Sequence, residues 1–565
     1  MTRARLGAVL ALLAVLPVAL IEVANAQEAG DRTALILHVP DASLDELMSV
    51  PQAAALARAG GAGLMVPQMG RDDLVHGQGL PGRILGVTPY TVQLEELGTW
   101  IDRLVPIQEA EAVLVVVAGT GPSSGTPRSG PVTGVVIAIG EPDHLLEESS
   151  EPGSLTSDST RRAGVVSDLD IAPTALGFVG VEADADGQPI PTLGEPIRII
   201  EGPPPFDLYE RYVAQRRMYV PIGTAAALYV TGAGLVAITF LIWRRSVPQQ
   251  WQRVVGWMGL SVPMLAIGLL AAGHLPELSY ASAVPMVAIV TVFGTMAFSP
   301  LERRDLTVVP AGIGAAIIAF LVAEALLGWS GMLTPLLGGS QLDGGRFFGL
   351  PNVAIGLLVG ASMWVAQRTT TAVGFALTCG VALFAGLPVV GANLGGAVTL
   401  FAAAGLWLAV RERERLGLWM GAAAFIVVTV VGTAVILVSH AISPFPTHVT
   451  RFEEEVEGIG GVWDTFVERL QVGVDLIAGS PAALVPVVGI VVVLYLVLRP
   501  PPAIRETFAR WPAWRDANLV IALAGVIAYP VNDSGAAAVG LAFGLALGGM
   551  LGVPLLVGSS KMGEP

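Results

Sequence analysis

The sequence predicts an exported α/β domain joined to an all-α polytopic membrane domain of about 11 transmembrane helices. Three observations carry this reading. Of 565 residues, 53% are hydrophobic and only 14% are charged, whereas a water-soluble domain carries about 25% charge. From Tyr219 onward, apolar segments near the roughly 20-residue membrane-spanning length recur. The acidity is confined to one stretch: between Gln27 and Met218 there are 12 basic and 27 acidic residues, a net of −15. That balance argues against nucleic acid as a partner, because a phosphate backbone calls for a basic surface. The single cysteine, Cys379, leaves no intrachain disulfide and no cysteine metal cluster. The composition also excludes a disordered chain and a disulfide scaffold.

The elements follow in order. Residues 1–26 read as a signal peptide: Arg3 and Arg5 precede the apolar run Leu6–Ile21, and Ala24-Asn25-Ala26 offers small residues for cleavage. An uncleaved anchor is the alternative. Residues 27–201 read as the extracytoplasmic domain. Ala34–Val39, Ala112–Val117 and Val132–Ile139 have the Val/Ile/Leu content of buried strands in a parallel sheet. Ala53–Ala59 and Leu94–Leu104 read as helices between them, which predicts helices on both faces. Residues 202–218, opening with Gly202-Pro203-Pro204-Pro205, read as a stiff linker.

The membrane domain, 219–557, divides into spans at about 219–243, 254–273, 278–299, 307–329, 351–366, 371–387, 392–410, 416–439, 481–498, 517–530 and 534–557. Residues 558–565 form a cytoplasmic tail. With the acidic domain outside, 14 basic residues fall in cytoplasmic loops and only Arg346, Arg451 and Arg469 fall outside. This is the bias of the positive-inside rule, and it predicts a multi-pass protein of the plasma membrane. The only lysine is Lys561; such an arginine bias suggests a GC-rich bacterial genome.

The distinctive polar stretches then all face outward. The loop 341–352 holds Asp343, Arg346 and Asn352, the turn before span 7 holds Asn393, and the turn before span 11 holds Asn532-Asp533-Ser534. Spans 5, 7 and 11 would begin at capping residues, each directing a positive helix end outward. With Arg346 as a bidentate clamp, they make an anion-binding funnel. The plainer alternatives are ordinary caps and an Arg346–Asp343 pair. Glu324 lies inside span 4 near its outer end, where an ionisable group is a functional candidate, with snorkelling as the alternative. The loop 440–480 carries Phe452, Val456, Ile459, Trp463, Phe466 and Leu470 on one helical face, which predicts an amphipathic helix on the outer surface that lids or packs on the membrane domain. His440 and His448 are too far apart for one helical metal face and read as structural.

The segment from Leu155 to Val181 resembles the alkaline phosphatase and sulfatase superfamily. Asp170, Pro173 and Thr174 match an Asp-x-x-Pro-Thr turn near the end of its catalytic domain, and Asp41 follows a strand as the superfamily's first metal-binding Asp does. The central strand is followed by Ala118-Gly119-Thr120-Gly121 in place of an Asp-His metal pair, and His38, His76 and His144 fall away from the ligand positions. The resemblance therefore implies a shortened, metal-free relative that keeps the fold, a pseudoenzyme. The membrane part resembles that of bacterial proteins that carry such a domain ahead of a polytopic region. Within it, Arg346-Phe347-Phe348-Gly349-Leu350-Pro351-Asn352 resembles a short stretch of O-antigen ligases and polymerases, which implies glycan transfer from a polyprenyl diphosphate at the outer face.

The functional expectation is an envelope protein that binds an anionic, phosphate-bearing or lipid-linked substrate through Arg346, Asn352, Asn393, Asn532 and Ser534. It would act as a glycan or headgroup transferase, with Glu324 or Asp533 as base and Arg346 as clamp. The alternatives are a transporter of an envelope precursor and a non-catalytic scaffold. No cofactor and no metal is expected, and the expected partners are the lipid bilayer and the anionic or lipid-linked envelope substrate.

Overall fold

The computed structural model describes residues 32–40, 42–66, 87–105, 112–120, 133–141, 152–180, 194–303, 305–338, 340–343, 348–443, 467, 471, 484–532 and 535–560. The chain forms two compact units. The first closes at Glu210, with Leu342 and Asp343 grouped with it, and the second opens at Arg211.

The first unit is built on strands β1 (Arg32–Pro40), β2 (Gly61–Val66), β3 (Val87–Thr91), β4 (Ala112–Thr120), β5 (Thr133–Gly140), β6 (Gly153–Thr156), β7 (Val165–Ser167) and β8 (Arg198–Ile200). They join in one sheet of order β3-β1-β4-β5-β2-β7-β6-β8. β1 runs parallel to β3 and β4, with Arg32 opposite Ala112. β5 runs antiparallel to both β4 and β2, so the sheet is mixed and not parallel throughout. The reason is visible in the connection. A parallel crossover needs a dozen or more residues, usually with a helix, and the sequence Gly121–Val132 is mostly Gly, Ser and Pro with no apolar period.

Helices cover both faces. Ile171 and Ala175 of α4 (Ile171–Val179) pack on Ala34, Ile36, Leu114 and Val116. The alternate residues Leu35, Leu37, Val113, Val115 and Val117 are buried as well. α1 (Leu44–Ser49) and α2 (Pro51–Ala59) lie against β2 and β5, and α3 (Leu97–Leu104) packs on α2.

The second unit is helical: α5 (Phe206–Ile242), α6 (Gln249–Ala271), α7 (Tyr280–Met296), α8 (Val308–Leu326), α9 (Asn352–Ala366), α10 (Thr371–Gly386), α11 (Leu394–Arg411), α12 (Arg413–Ala441), α13 (Leu484–Leu498), α14 (Pro502–Arg510), α15 (Pro512–Val531) and α16 (Gly535–Ser560). A helix stands at each apolar segment read from the sequence. Among the described residues, seven are long and apolar enough to cross a membrane unaided, and α9 and α10 are shorter apolar helices. The predicted linker differs from the structure. Only 202–205 precede the helix, and 206–218 form the first turns of α5. Proline is tolerated at a helix start, where its missing N–H has no partner to lose, and the charged run that follows favours helix.

The exterior of this unit is apolar. Leu228 and Leu235 on α5, Val284, Ile289 and Phe293 on α7, and Val427, Val430 and Val438 on α12 are all exposed. α9, by contrast, is buried on nearly every side. Exposed Trp243, Trp251 and Trp419 gather at one end of the bundle, and exposed Tyr219 and Tyr280 at the other. Along α5, Tyr219 and Trp243 stand about 36 Å apart at 1.5 Å per residue, the reach of a hydrocarbon core plus its interfaces.

The Trp end also collects most of the described arginines of this unit, while Arg211, Arg216 and Arg217 stand in the first turns of α5 at the other end. Arg253 pairs with Glu302 at 2.7 Å, Arg368 with Asp305 at 2.7 Å, and Arg411 and Arg413 with Asp516 at 3.3 and 3.2 Å. Burial works against the charge on Asp305, but the Thr307 N–H and hydroxyl and Arg368 outweigh it and hold the carboxyl below its ordinary value.

Candidate functional site

The end opposite the Arg253, Arg368, Arg411 and Arg413 ion pairs holds the candidate site. Glu324 sits in the last turn of α8, 1% exposed at its side chain. Its Oε1 is paired with His274 Nε2, and its Oε2, also buried, has no hydrogen-bond partner. His274 ends the short turn Ala272–His274 that closes α6, with a third of its side chain exposed. A buried carboxyl without a hydrogen-bond partner is expensive, and here an imidazole at the end of the neighbouring helix supplies one. Gly331 permits the approach. A Cβ there would stand 2.5 Å from His274 Nε2 and 2.9 Å from Glu324 Oε1.

The surrounding loop is tied down on both sides. Trp329, fully buried and in the left-handed region at φ 62°, donates its N–H to Glu324 O at 2.7 Å and its indole N–H to Val390 O at 2.8 Å. Arg211 donates to Gly273 O and, at 3.3 Å, to Thr334 Oγ1, which brings a cation beside the turn that carries His274.

Val390 leads into the second half of the site. Asn393, fully buried, accepts from Gly396 N at 2.7 Å and so caps α11. Its Nδ2 donates to Leu350 O at 2.9 Å and to Asn352 Oδ1 at 3.1 Å. Leu350 N donates to Gly391 O at 2.7 Å. Gly349, at φ 92°, lies so close to that turn that a Cβ would stand 2.2 Å from Gly391 O. Asn532 closes the belt: its Nδ2 donates to Thr399 Oγ1 at 3.3 Å and to Ala528 O at 3.0 Å, and its buried Oδ1 has no partner. A Cβ on Gly395 would come within 2.7 Å of that Oδ1. The nearby Tyr529 hydroxyl is likewise buried without a partner.

The structure therefore brings Asn352, Asn393 and Asn532 together, with Glu324 at the same end, but their roles differ from three helix caps. Only Asn393 caps. The N-cap of α9 is Pro351, and Asn352 is its first helical residue, used as an acceptor by Asn393. Asn532 follows α15 as its C-cap and bonds back to it. Arg346, Asp533 and Ser534 lie outside the described residues, as do Asp41, His448 and the amphipathic stretch 452–466. His440 is fully buried, with its Nε2 2.9 Å from Gly386 O between two helices.

His274, Arg211 and Trp329 were not read from the sequence as site residues. His274 falls one residue beyond an apolar span and Arg211 inside the expected linker. The usable signal was a pair of ionisable residues, His274 and Glu324, at the adjoining ends of neighbouring apolar segments.

In the first unit, Asp170 of the Asp-x-x-Pro-Thr turn is fully buried. Its carboxylate accepts from Ser157 Oγ at 2.6 Å, Ser167 N at 2.8 Å and Glu195 N at 2.9 Å. Burial raises its pKa above the ordinary value, against the lowering by these hydrogen bonds. Thr174 donates to Asp170 O, and its hydroxyl accepts from Ile197 N at 2.8 Å; Pro173 is buried one residue earlier in α4. This knot pins 153–170 to 194–198. Among the described residues no three His, Cys, Asp or Glu side chains group as a metal site.

Comparison with family models, with curated proteins and with solved structures finds no match, and the chemistry rests on these residues alone.

Proposed function

We propose that the chain is an integral membrane protein of the bacterial envelope whose Asn and His–Glu end faces outward and binds an anionic, phosphate-bearing or lipid-linked substrate. In this reading the first unit is a degenerate phosphatase relative, the membrane unit has eleven spans, and the reaction is transfer of a glycan or headgroup. The observation that supports it is the convergence of Asn352, Asn393, Asn532 and the His274–Glu324 pair at the end of the bundle away from the Arg253, Arg368, Arg411 and Arg413 ion pairs. The Tyr529 hydroxyl, buried without a partner, is a neutral donor suited to a phosphate oxygen. An accessible imidazole held by a buried carboxylate is a general acid–base pair, able to take the proton of an acceptor hydroxyl.

The test has two arms. Cys379→Ser protein carrying Ser279→Cys or Ser246→Cys is treated with an impermeant thiol reagent on intact cells; position 279 should react and position 246 should not. Purified protein in nanodiscs is then given a polyprenyl phosphate. Binding should fall at least about tenfold in Arg346→Ala, the loss expected of one charge-assisted clamp. Labelling at 246 in place of 279, or equal binding by the variant, overturns the reading.

Transport has one observation in its favour. In the arginine half of the bundle, Ser362 Oγ, Trp364 Nε1, Trp514 Nε1 and Asn518 Oδ1 are buried without partners, and such atoms call for water or a passing ligand. In proteoliposomes a transporter delivers the labelled lipid unchanged to the inner leaflet, while a transferase consumes it.

A further inference from the structure

The corner formed by α13, α14 and α15 has a charge pattern that the substrate site does not use. Arg499 follows α13, Arg505 and Arg510 lie on α14, and Arg515 lies in the first turn of α15; all four are exposed. The two acids of this stretch are taken by arginines from elsewhere: Glu506 by Arg244 at 3.6 Å, and Asp516 by Arg411 and Arg413. Among the described residues none of the four has a carboxylate partner. Arg505 donates to Pro500 O at 3.3 Å, and Arg510 lies 4.7 Å from the centre of the Trp511 ring.

α14 is amphipathic. Ala503, Ile504, Thr507 and Phe508 are buried, on the side that packs toward α15 and α16, and Arg505, Glu506, Ala509 and Arg510 face out. It follows directly on an apolar helix and lies at the end that carries the exposed Trp243, Trp251 and Trp419. That is the depth of lipid headgroups, where tryptophan and arginine are favoured together.

We infer that this corner is a docking site for anionic phospholipid headgroups, held by Arg505, Arg510 and Arg515 on the exposed side of α14 and the start of α15. Charge selects the occupant. A zwitterionic headgroup offers the guanidinium groups no net gain, whereas a phosphatidylglycerol phosphate meets unpaired cations beside apolar surface. The inference stands apart from the proposed substrate site at the other end of the bundle.

The test uses full-length protein in mixed phosphatidylglycerol and phosphatidylcholine micelles, with retained lipid counted by native mass spectrometry. Wild type should retain phosphatidylglycerol preferentially. Each arginine near an anionic surface is worth about fivefold in binding, so R505Q/R510Q/R515Q should lose between about tenfold and a hundredfold of that preference. R505K/R510K/R515K should keep most of it. The inference is overturned by a glutamine variant with wild-type preference, by a lysine variant that falls as far as the glutamine one, or by displacement of the lipid by an equal concentration of inorganic phosphate, which would mark a free-anion site.

Discussion

Replacing His274 by Ala removes the one partner of a carboxylate that is 1% exposed and already has one bare oxygen. Stripping a buried polar group of its hydrogen-bond partner costs about 1–3 kcal/mol. The Glu324 side chain is almost wholly buried, so the upper end, about 3 kcal/mol, applies. A bundle of roughly 350 residues at about 2.1 cal/mol/K per residue unfolds with an entropy near 0.7 kcal/mol/K, so the midpoint should drop by about 4 °C. The indoles make the assay: tryptophan emission during heating of purified protein, with buried Trp329 next to the site. A second variant separates charge from packing. In H274A/E324L the stranded carboxylate is gone, and at least half of the loss should return. A midpoint within about 1 °C of wild type in H274A, or a double variant as unstable as the two single losses added, would refute the coupling and with it the acid–base role.

Two further outcomes follow from neighbouring geometry. Asn393→Ala removes the cap of α11 and leaves Leu350 O and Asn352 Oδ1 without their donor; about 2–4 kcal/mol should be lost in the same melting assay, and Asn393→Asp, which keeps only the acceptor, should fall between. For Asp170 the sign of the pH effect is fixed by its raised pKa. A group whose folded pKa lies above its unfolded value lends stability in full below the unfolded value, about 3.9, and loses it as pH rises through the folded one. Amide-exchange protection of β6 and β7 in the full-length protein, corrected for intrinsic exchange, should therefore decline upward from about pH 4, and Asp170→Asn should remove that slope; an opposite slope would show hydrogen bonding outweighing burial.

Length and hydropathy made the helical segments of the second unit legible, because a bilayer imposes one length on every span. Asn393 was legible as a cap, since capping is decided within three residues. What failed was decided at longer range. Asn352 and Asn532 looked like caps but are assigned by neighbours 41 and 133 residues away in sequence. The direction of β5 was hidden because a strand buried on both faces reads alike in either orientation. The start of α5 was hidden because Gly202–Pro205 has the composition of a linker while Asp207 onward is good helix-forming sequence.

The two ends of the bundle satisfy their polar groups in opposite ways, and this bears on function. At the arginine end, among the described residues, each buried or half-buried carboxylate is met by a guanidinium, Asp516 by two of them, so these acids serve the structure and the exposed arginines Arg499, Arg505, Arg510 and Arg515 are left for a lipid surface. At the other end, among the described residues, the belt is three asparagines and main-chain carbonyls, and the buried Glu324 carboxyl has one oxygen without a partner. A ligand arriving there would meet Asn532 Oδ1, the Tyr529 hydroxyl and Glu324 Oε2 with no internal bond to break first. α9 and α15 carry residues of that belt at one end and the unpartnered Ser362, Trp364, Trp514 and Asn518 further along. In the proposed reading, binding and any onward passage would therefore share two helices, and a substrate entering at the asparagines would find its next polar contacts on the same pair.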